Sequence, residues 1–298
     1  MVELYLLDRN IVDLMRRYNN SEKIPDKKRI NTVSKLRELD IKGNIFSPLL
    51  SIIEGKTIKE TDSNGKIQII KTPHREIRRL ILNESNIVNS FIKNAGTDCE
   101  YLISSVKNIS KNIYDAENDT LIDEKIRLVD KLQASIGKIR KLEQRRDAYF
   151  EFKEIVNEFS YLKNQPFILV SLMYIFGSQR ASKVMKFNAK QFVAYNPIAD
   201  FNHYKTISQL KFNERIKGKL KVNFLSLDSD MDFIQELFNT TSAKLSKSTN
   251  FTDTLSLEWK IKKDTLANEI PEIKGETNNR SLFYSCFHDF YGYDIEKT

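Results

Sequence analysis

Two apolar runs in this chain end in carboxylates. Leu4-Tyr5-Leu6-Leu7 stops at Asp8, and Val222-Asn223-Phe224-Leu225-Ser226-Leu227 stops at Asp228, with Asp230 and Asp232 close behind. Short apolar runs of this kind read as buried strands of a parallel sheet. In open parallel sheets the ligand crevice lies at the carboxyl ends of the strands, so acids at two such ends meet in one cleft. Glu54 closes the apolar stretch Leu49-Leu50-Ser51-Ile52-Ile53, where a charge is costly unless it faces water or a partner. Asp200 stands among small and apolar residues in Pro197-Ile198-Ala199-Asp200-Phe201. Four carboxylates brought to one point repel one another and call for a cation. Oxygen-only ligation favours Mg²⁺ or Mn²⁺. Such a centre can activate water and stabilise the leaving oxygen of a phosphodiester. The candidate ligands are Asp8, Glu54, Asp200 and Asp228, with Asp230 or Asp232 assisting. Asn10 and Ser226 stand where they orient a carboxylate.

The elements that must position these residues follow from the pattern around them. After the first strand, Asn10 to Met15 opens a helix, and Lys27–Leu39 reads as a second one, with Ile30, Val33, Leu36 and Leu39 on one face. Ile45-Phe46 reads as a short strand, and Ser47-Pro48 starts the helix that carries Glu54, with Pro in its favoured first position. Asp62-Ser63-Asn64-Gly65 is a turn signal for a loop or small hairpin over 61–71. Between Pro73 and Pro166 there is no proline, and Ile126, Val129, Leu132, Ile136, Ile139 and Leu142 make a heptad seam. The expectation is a helical insertion of two to four long helices, some forming an antiparallel hairpin. Phe167 to Phe176 predicts an apolar helix followed by a basic one, and a further helix begins near Pro197. The tail predicts a helix over 255–266 and an aromatic cluster including Phe283, Phe287, Phe290 and Tyr293, which reads as core ahead of base stacking. The fold class is α/β, a central parallel sheet with a long helical insertion. The segments are 1–72 and 166–245 as the two halves of the sheet domain, 73–165 as the insertion, and 246–298 as a helical extension.

Composition narrows the function classes. The chain has 298 residues, 40% hydrophobic and 30% charged, with 9 Gly and 6 Pro, which suits a packed core and excludes fibrous or low-complexity classes. No run reaches the roughly 18 apolar residues of a membrane helix, and MVELYLLDRN lacks the basic start of a signal peptide. Cys99 and Cys286 are expected as free thiols in a reducing cytoplasm. The scattered glycines form no phosphate loop, and His74, His203 and His288 have no zinc-site spacing. The net charge is +8, and residues 178–222 alone hold ten basic side chains against Asp200 and Glu214. That concentration attracts polyanions, nucleic acid first. Lys183, Lys186, Lys190, Lys217 and Lys221 are the expected backbone contacts.

The motifs together resemble those of PIN domains. Tyr5-Leu6-Leu7-Asp8-Arg9-Asn10-Ile11-Val12 resembles the family's opening strand followed by Asp, any residue and Asn. Ser47 to Glu54 resembles its second motif, and Ile198-Ala199-Asp200-Phe201 is similar to the third, an Asp at a helix start preceded by a small residue. Phe224 to Phe233 is similar to the fourth. The resemblance implies a metal-dependent ribonuclease, of the kind that acts as a toxin or phage-defence effector. The long separation of Glu54 from Asp200 then requires the helical insertion, which would serve as a protein-partner surface. Plain structural uses stay open beside this. Asp8 and Asp200 can be helix caps, Glu54 a solvated helix end, and Asp228 to Asp232 a polar turn. The alternative function is a non-catalytic helical scaffold or nucleic-acid binder with a degenerate PIN-like shell.

Overall fold

A computed structural model describes residues 2–55, 57–61, 67–115, 121–138, 141, 144–212, 219–246, 254–272 and 279–292. The chain opens with β1 (Val2–Leu7), α1 (Arg9–Asn19), α2 (Lys27–Leu39), β2 (Asn44–Ser47) and α3 (Leu49–Glu54). A hairpin of β3 (Thr57–Thr61) and β4 (Ile67–Lys71) leads into α4 (His74–Phe91), β5 (Gly96–Thr97), α5 (Cys99–Ser104) and α6 (Val106–Asp115). Then come α7 (Ile122–Ile136), α8 (Arg145–Glu158), α9 (Pro166–Ile175), α10 (Gln179–Met185) and α11 (Tyr195–Phe212). β6 (Leu220–Leu225), α12 (Ser229–Leu237), β7 (Phe238–Ser246), β8 (Thr254–Ile261), α13 (Lys263–Glu269) and α14 (Asn279–Tyr291) complete the order.

The chain divides into two compact units. The first holds Met1–Asn118 and Thr206–Ser229, the second Asp119–Lys205 and Asp230–Thr298. Residues 73–165, expected as one insertion, are shared between them: α4 to α6 belong to the first unit, α7 and α8 to the second.

The first unit is built on a four-stranded parallel sheet in the order β5-β2-β1-β6. The chain moves from β1 outward to β2 and β5, then returns to the other side of β1 as β6. The β1/β6 junction is therefore the topological switch point, where parallel sheets bind ligands beyond their carboxyl ends. Burial rises along β1 toward that end, through Tyr5 and Leu6 to a fully buried Leu7. Tyr5 stacks on Phe46 of β2 with ring centroids 5.1 Å apart. Ile11, Leu14 and Met15 of α1, Val33 and Leu36 of α2, and Val88 and Phe91 of α4 complete this core. α4 packs against α1, α3, α5 and α6. β5 has only two residues, and a buried carboxylate sets it: Asp40 accepts the backbone N–H groups of Lys93, Asn94 and Ala95, each at 2.8 Å.

The second unit is helical with one hairpin, β7 against β8. Ser135 donates to Glu151, and Lys131 pairs with Glu158, so α7 and α8 run antiparallel as a helical hairpin. α7 ends at Ile136, and Ile139 and Leu142 of the heptad lie outside the described residues. α9 begins with Pro166 and buries every residue to Ile175. Phe283, Phe287 and Phe290 of α14 are buried, with Phe290 against Phe152 and Phe283 against Phe176. That places these aromatics in the core; Tyr293 lies outside the described residues.

Two expectations are corrected. The helix over 255–266 is a strand, β8, followed by the short α13. The alternation Leu255, Leu257, Trp259, Ile261 has a strand's period of two, and the helical spacing of Leu255, Trp259 and Leu266 was the coincidence. The last strand of the sheet ends at Leu225, so Asp228 stands three residues beyond it. Cys99 and Cys286 are free and buried, and burial pushes both thiols up to about 11.

Candidate functional site at the carboxyl edge of the sheet

Asp8 leaves β1 at the switch point. Its N–H donates to the Leu225 carbonyl of β6, continuing the sheet by one bond. As N-cap of α1, its Oδ1 accepts the Arg9 N–H at 2.8 Å. Its Oδ2 accepts from Asn10 Nδ2 at 2.7 Å and from Ser226 Oγ at 2.5 Å. Asn10 Oδ1 in turn accepts the Leu227 N–H at 2.9 Å, and Ser226 Oγ accepts the Asp228 N–H at 2.8 Å. Asn10 and Ser226 thus tie the ends of β1 and β6 together and fix the Asp8 carboxylate.

Glu54 ends α3, which packs on β1. Its carboxyl lies within hydrogen-bonding reach of Asp8 and of the Arg9 backbone N–H. Its Oε2 is buried and takes no hydrogen bond. Burial, then the Asp8 charge and contact, push the Glu54 carboxyl from 4.5 up to about 7, against the pull of Arg9.

Two further carboxyls of this unit were not in the candidate set. Asp98 follows β5, so it stands on the same carboxyl edge as Asp8. It occupies the N-cap position of α5 yet makes no capping bond. Instead its Oδ2 accepts from Ser47 Oγ, at the end of β2, at 2.6 Å, while its Oδ1 is buried without a donor. Burial raises its pKa. A signal existed in the sequence: Gly96-Thr97-Asp98 is also an Asp at a helix start behind a small residue. Glu84 lies inside α4, 5% exposed, with a bare Oε2. Burial pushes it up to about 7, and Ser51 and the Arg9 charge oppose that shift. No sequence pattern marks it, because a Glu inside a charged helix reads as solvated.

The remaining candidates are placed as follows. Asp228 is half-buried in the first unit, its backbone held by Ser226. Asp200 lies within α11 and belongs to the second unit, as do Asp230 and Asp232. Asp230 is buried and paired with Lys186 at 3.2 Å, so a cationic side chain already neutralises it. Lys183 and Lys190 are exposed in the second unit, whereas Lys221 belongs to the first and pairs with Glu3 at 3.0 Å. Lys217 lies outside the described residues. Among the described residues, no group of three or more His, Cys, Asp or Glu is gathered tightly enough to hold a metal ion. Also among them, no helix is long and apolar enough to cross a membrane.

The first unit therefore presents an interacting carboxyl pair, Asp8 and Glu54, and elsewhere in the same unit two buried carboxyls, Asp98 and Glu84, each with an unsatisfied oxygen. Against known proteins the chain stands alone: no protein-family model, no curated protein and no solved structure matches it.

Proposed function

We propose that the chain is a metal-dependent, PIN-like nuclease that hydrolyses RNA, with its acidic centre at the carboxyl edge of the parallel sheet. One observation carries the reading: Glu54 Oε2, on the helix that packs on β1, and Asp98 Oδ1, just after β5, are buried carboxyl oxygens lacking donors in the unit whose β1 ends at Asp8. A structural carboxylate in such a place would be hydrogen-bonded. Acceptor oxygens left bare fit a cation that completes them, and the all-oxygen donor set fits Mg²⁺ or Mn²⁺. Asp8 and Glu54 would hold the ion, with Asp98 and Asp228 as the further acids. Asp98 takes the place the sequence gave to Asp200, because it belongs to the same sheet as Asp8.

A bound divalent cation supplies Lewis acidity toward water and the phosphodiester. The chain's own residues do the rest. Asn10 and Ser226 hold Asp8 in one orientation. Ser47 does the same for Asp98. Glu54, whose carboxyl is pushed up to about 7 by burial and by the Asp8 charge, would offer its bare oxygen to the ion.

The alternative, a non-catalytic nucleic-acid-binding scaffold, is favoured by one observation: no three acids are gathered among the described residues. A cleavage assay on labelled RNA and single-stranded DNA with Mg²⁺, Mn²⁺ or EDTA separates the two. The nuclease reading expects metal-dependent cleavage of RNA that Asp8→Asn and Asp98→Asn abolish and Asp200→Asn spares. Binding without cleavage under every metal condition would favour the scaffold.

A further inference from the structure

Arg9 and Lys28 bring cations to the carboxyl edge of the sheet, and the basic stretch 178–222 does not account for them. Arg9 is the first residue of α1, directly after Asp8, and its side chain is exposed. Its charge reaches the carboxyls of both Glu54 and Glu84. On the β6 side, Lys28 of α2 is exposed and reaches back to donate to the Leu227 carbonyl, the residue before Asp228, at 2.5 Å. A cation thus stands on either side of the β1/β6 switch point, one beside Asp8 and one beside Asp228.

We propose that Arg9 and Lys28 form a two-point phosphate clamp for single-stranded RNA. The proposal rests on the nuclease reading for its catalytic part only. Arg9 has the planar fork that takes two oxygens of one phosphate, and its place beside Asp8 and Glu54 directs it to the scissile group. Lys28 acts as a point charge on a flexible stem and takes a neighbouring phosphate. An acidic centre alone would repel the RNA backbone, so cations bracketing it are what lets a polyanion approach.

The test uses the full chain, a fluorescein-labelled single-stranded oligoribonucleotide, and the variants Arg9→Gln, Arg9→Lys, Lys28→Gln and the double Arg9→Gln/Lys28→Gln. Arg79→Gln, an exposed cation paired with Glu76 on its own helix, is the charge control. Metal-free anisotropy across a salt series should show the log–log slope flattened by about 0.7 for Arg9→Gln and for Lys28→Gln, and by about 1.4 for the double. Arg79→Gln should keep the wild-type slope. With Mn²⁺, Arg9→Gln should lower single-turnover cleavage about 10²–10³-fold, the range of a lost charge-stabilising donor. Arg9→Lys should recover binding but little of the rate. Lys28→Gln should act on binding alone.

Wild-type slopes in the double variant overturn the clamp whether or not the protein cuts RNA. Wild-type protein that never cuts, yet binds with the Arg9- and Lys28-dependent slope, overturns the nuclease reading and leaves the clamp standing. An Arg9→Gln protein whose melting temperature has fallen is judged by Arg9→Lys, and full activity in that variant overturns the fork's role.

Discussion

The two ends of strand β5 treat buried carboxylates in opposite ways. Before its amino end, Asp40 is 3% exposed and accepts three backbone N–H groups. Burial raises its pKa, and those three bonds more than reverse this, leaving it below the usual carboxylate value. After its carboxyl end, Asp98 receives one hydroxyl and keeps an oxygen bare, and its pKa is raised. Glu54 and Glu84 share that condition. The same residue types in one unit thus divide into a saturated carboxylate that builds the fold and unsaturated ones that do not. Full hydrogen bonding suits a structural acid, and the deficit at Glu54 and Asp98 is what the proposed ion would complete.

The largest expected effect lies on the unsaturated side. Asp8→Asn is isosteric and opens no cavity, yet it removes the carboxylate that Asn10 and Ser226 fix. Metal-dependent RNA cleavage should fall by about 10³-fold or more, equivalent to roughly 4 kcal/mol, in a protein that melts no lower than wild type. Normal cleavage at an unchanged melting temperature would remove Asp8 from the centre.

Asp40→Asn should show the reverse profile. A neutral amide cannot accept the three N–H groups as the carboxylate does, so denaturant unfolding should reveal a loss of about 2–4 kcal/mol. Any loss of activity should then follow the displacement of Asp98. An Asp40→Asn protein as stable as wild type would break the contrast between the two ends.

The two sets also predict opposite pH slopes. Asp40 has a depressed pKa, so its contribution is present above about 3.8, its unfolded value, and is lost as pH falls through the folded value. Glu54 and Glu84 have raised values, so the folded protein binds more protons than the unfolded chain between about 4.5 and 7. Metal-free stability should fall as pH rises through that window, by about 2–3 kcal/mol for each group. Glu84→Gln should remove one such share, measured as unfolding free energy against pH. An identical slope in wild type and Glu84→Gln would contradict the burial assigned to it.

Asn10→Ala should have the smallest effect. It removes the bonds to Asp8 and Leu227, costing about 1–2 kcal/mol in stability and about tenfold in rate. A rate unchanged from wild type would mean that Asp8 needs no orienting partner.

How much of this was legible in the sequence depended on element length and on burial. β1, α2, β2 and α9 were readable because each carries an apolar run or periodicity long enough to exceed chance. Asp8, Glu54, Asn10 and Ser226 were readable because they stand at the ends of such runs. β5 was not: two residues carry no period, and the acceptor that sets the strand, Asp40, lies more than fifty residues earlier. With β5 hidden, Asp98 reads as one more acid in a helical stretch, while Asp200, the third candidate, lies in the second unit. Glu84 was illegible for another reason. Its helix is rich in Glu, Arg and Asn, and only packing against α1 and α3 decides which of those side chains loses water. The second unit repeats the lesson, since Arg145 is buried by donating to Phe176 and to Asn279, partners that no local pattern links.

The central claim is the proposal that Asp8, Glu54 and Asp98 together hold a divalent cation. Calorimetric titration of the full chain with Mn²⁺ near neutral pH, repeated in buffers of different ionisation enthalpy, counts the protons released on binding. The account predicts binding with release of about one proton. It further predicts binding without that release in Glu54→Gln, and binding lost in Asp8→Asn and Asp98→Asn. No Mn²⁺ binding, or binding that releases no proton and persists in Asp8→Asn and Asp98→Asn, would contradict it.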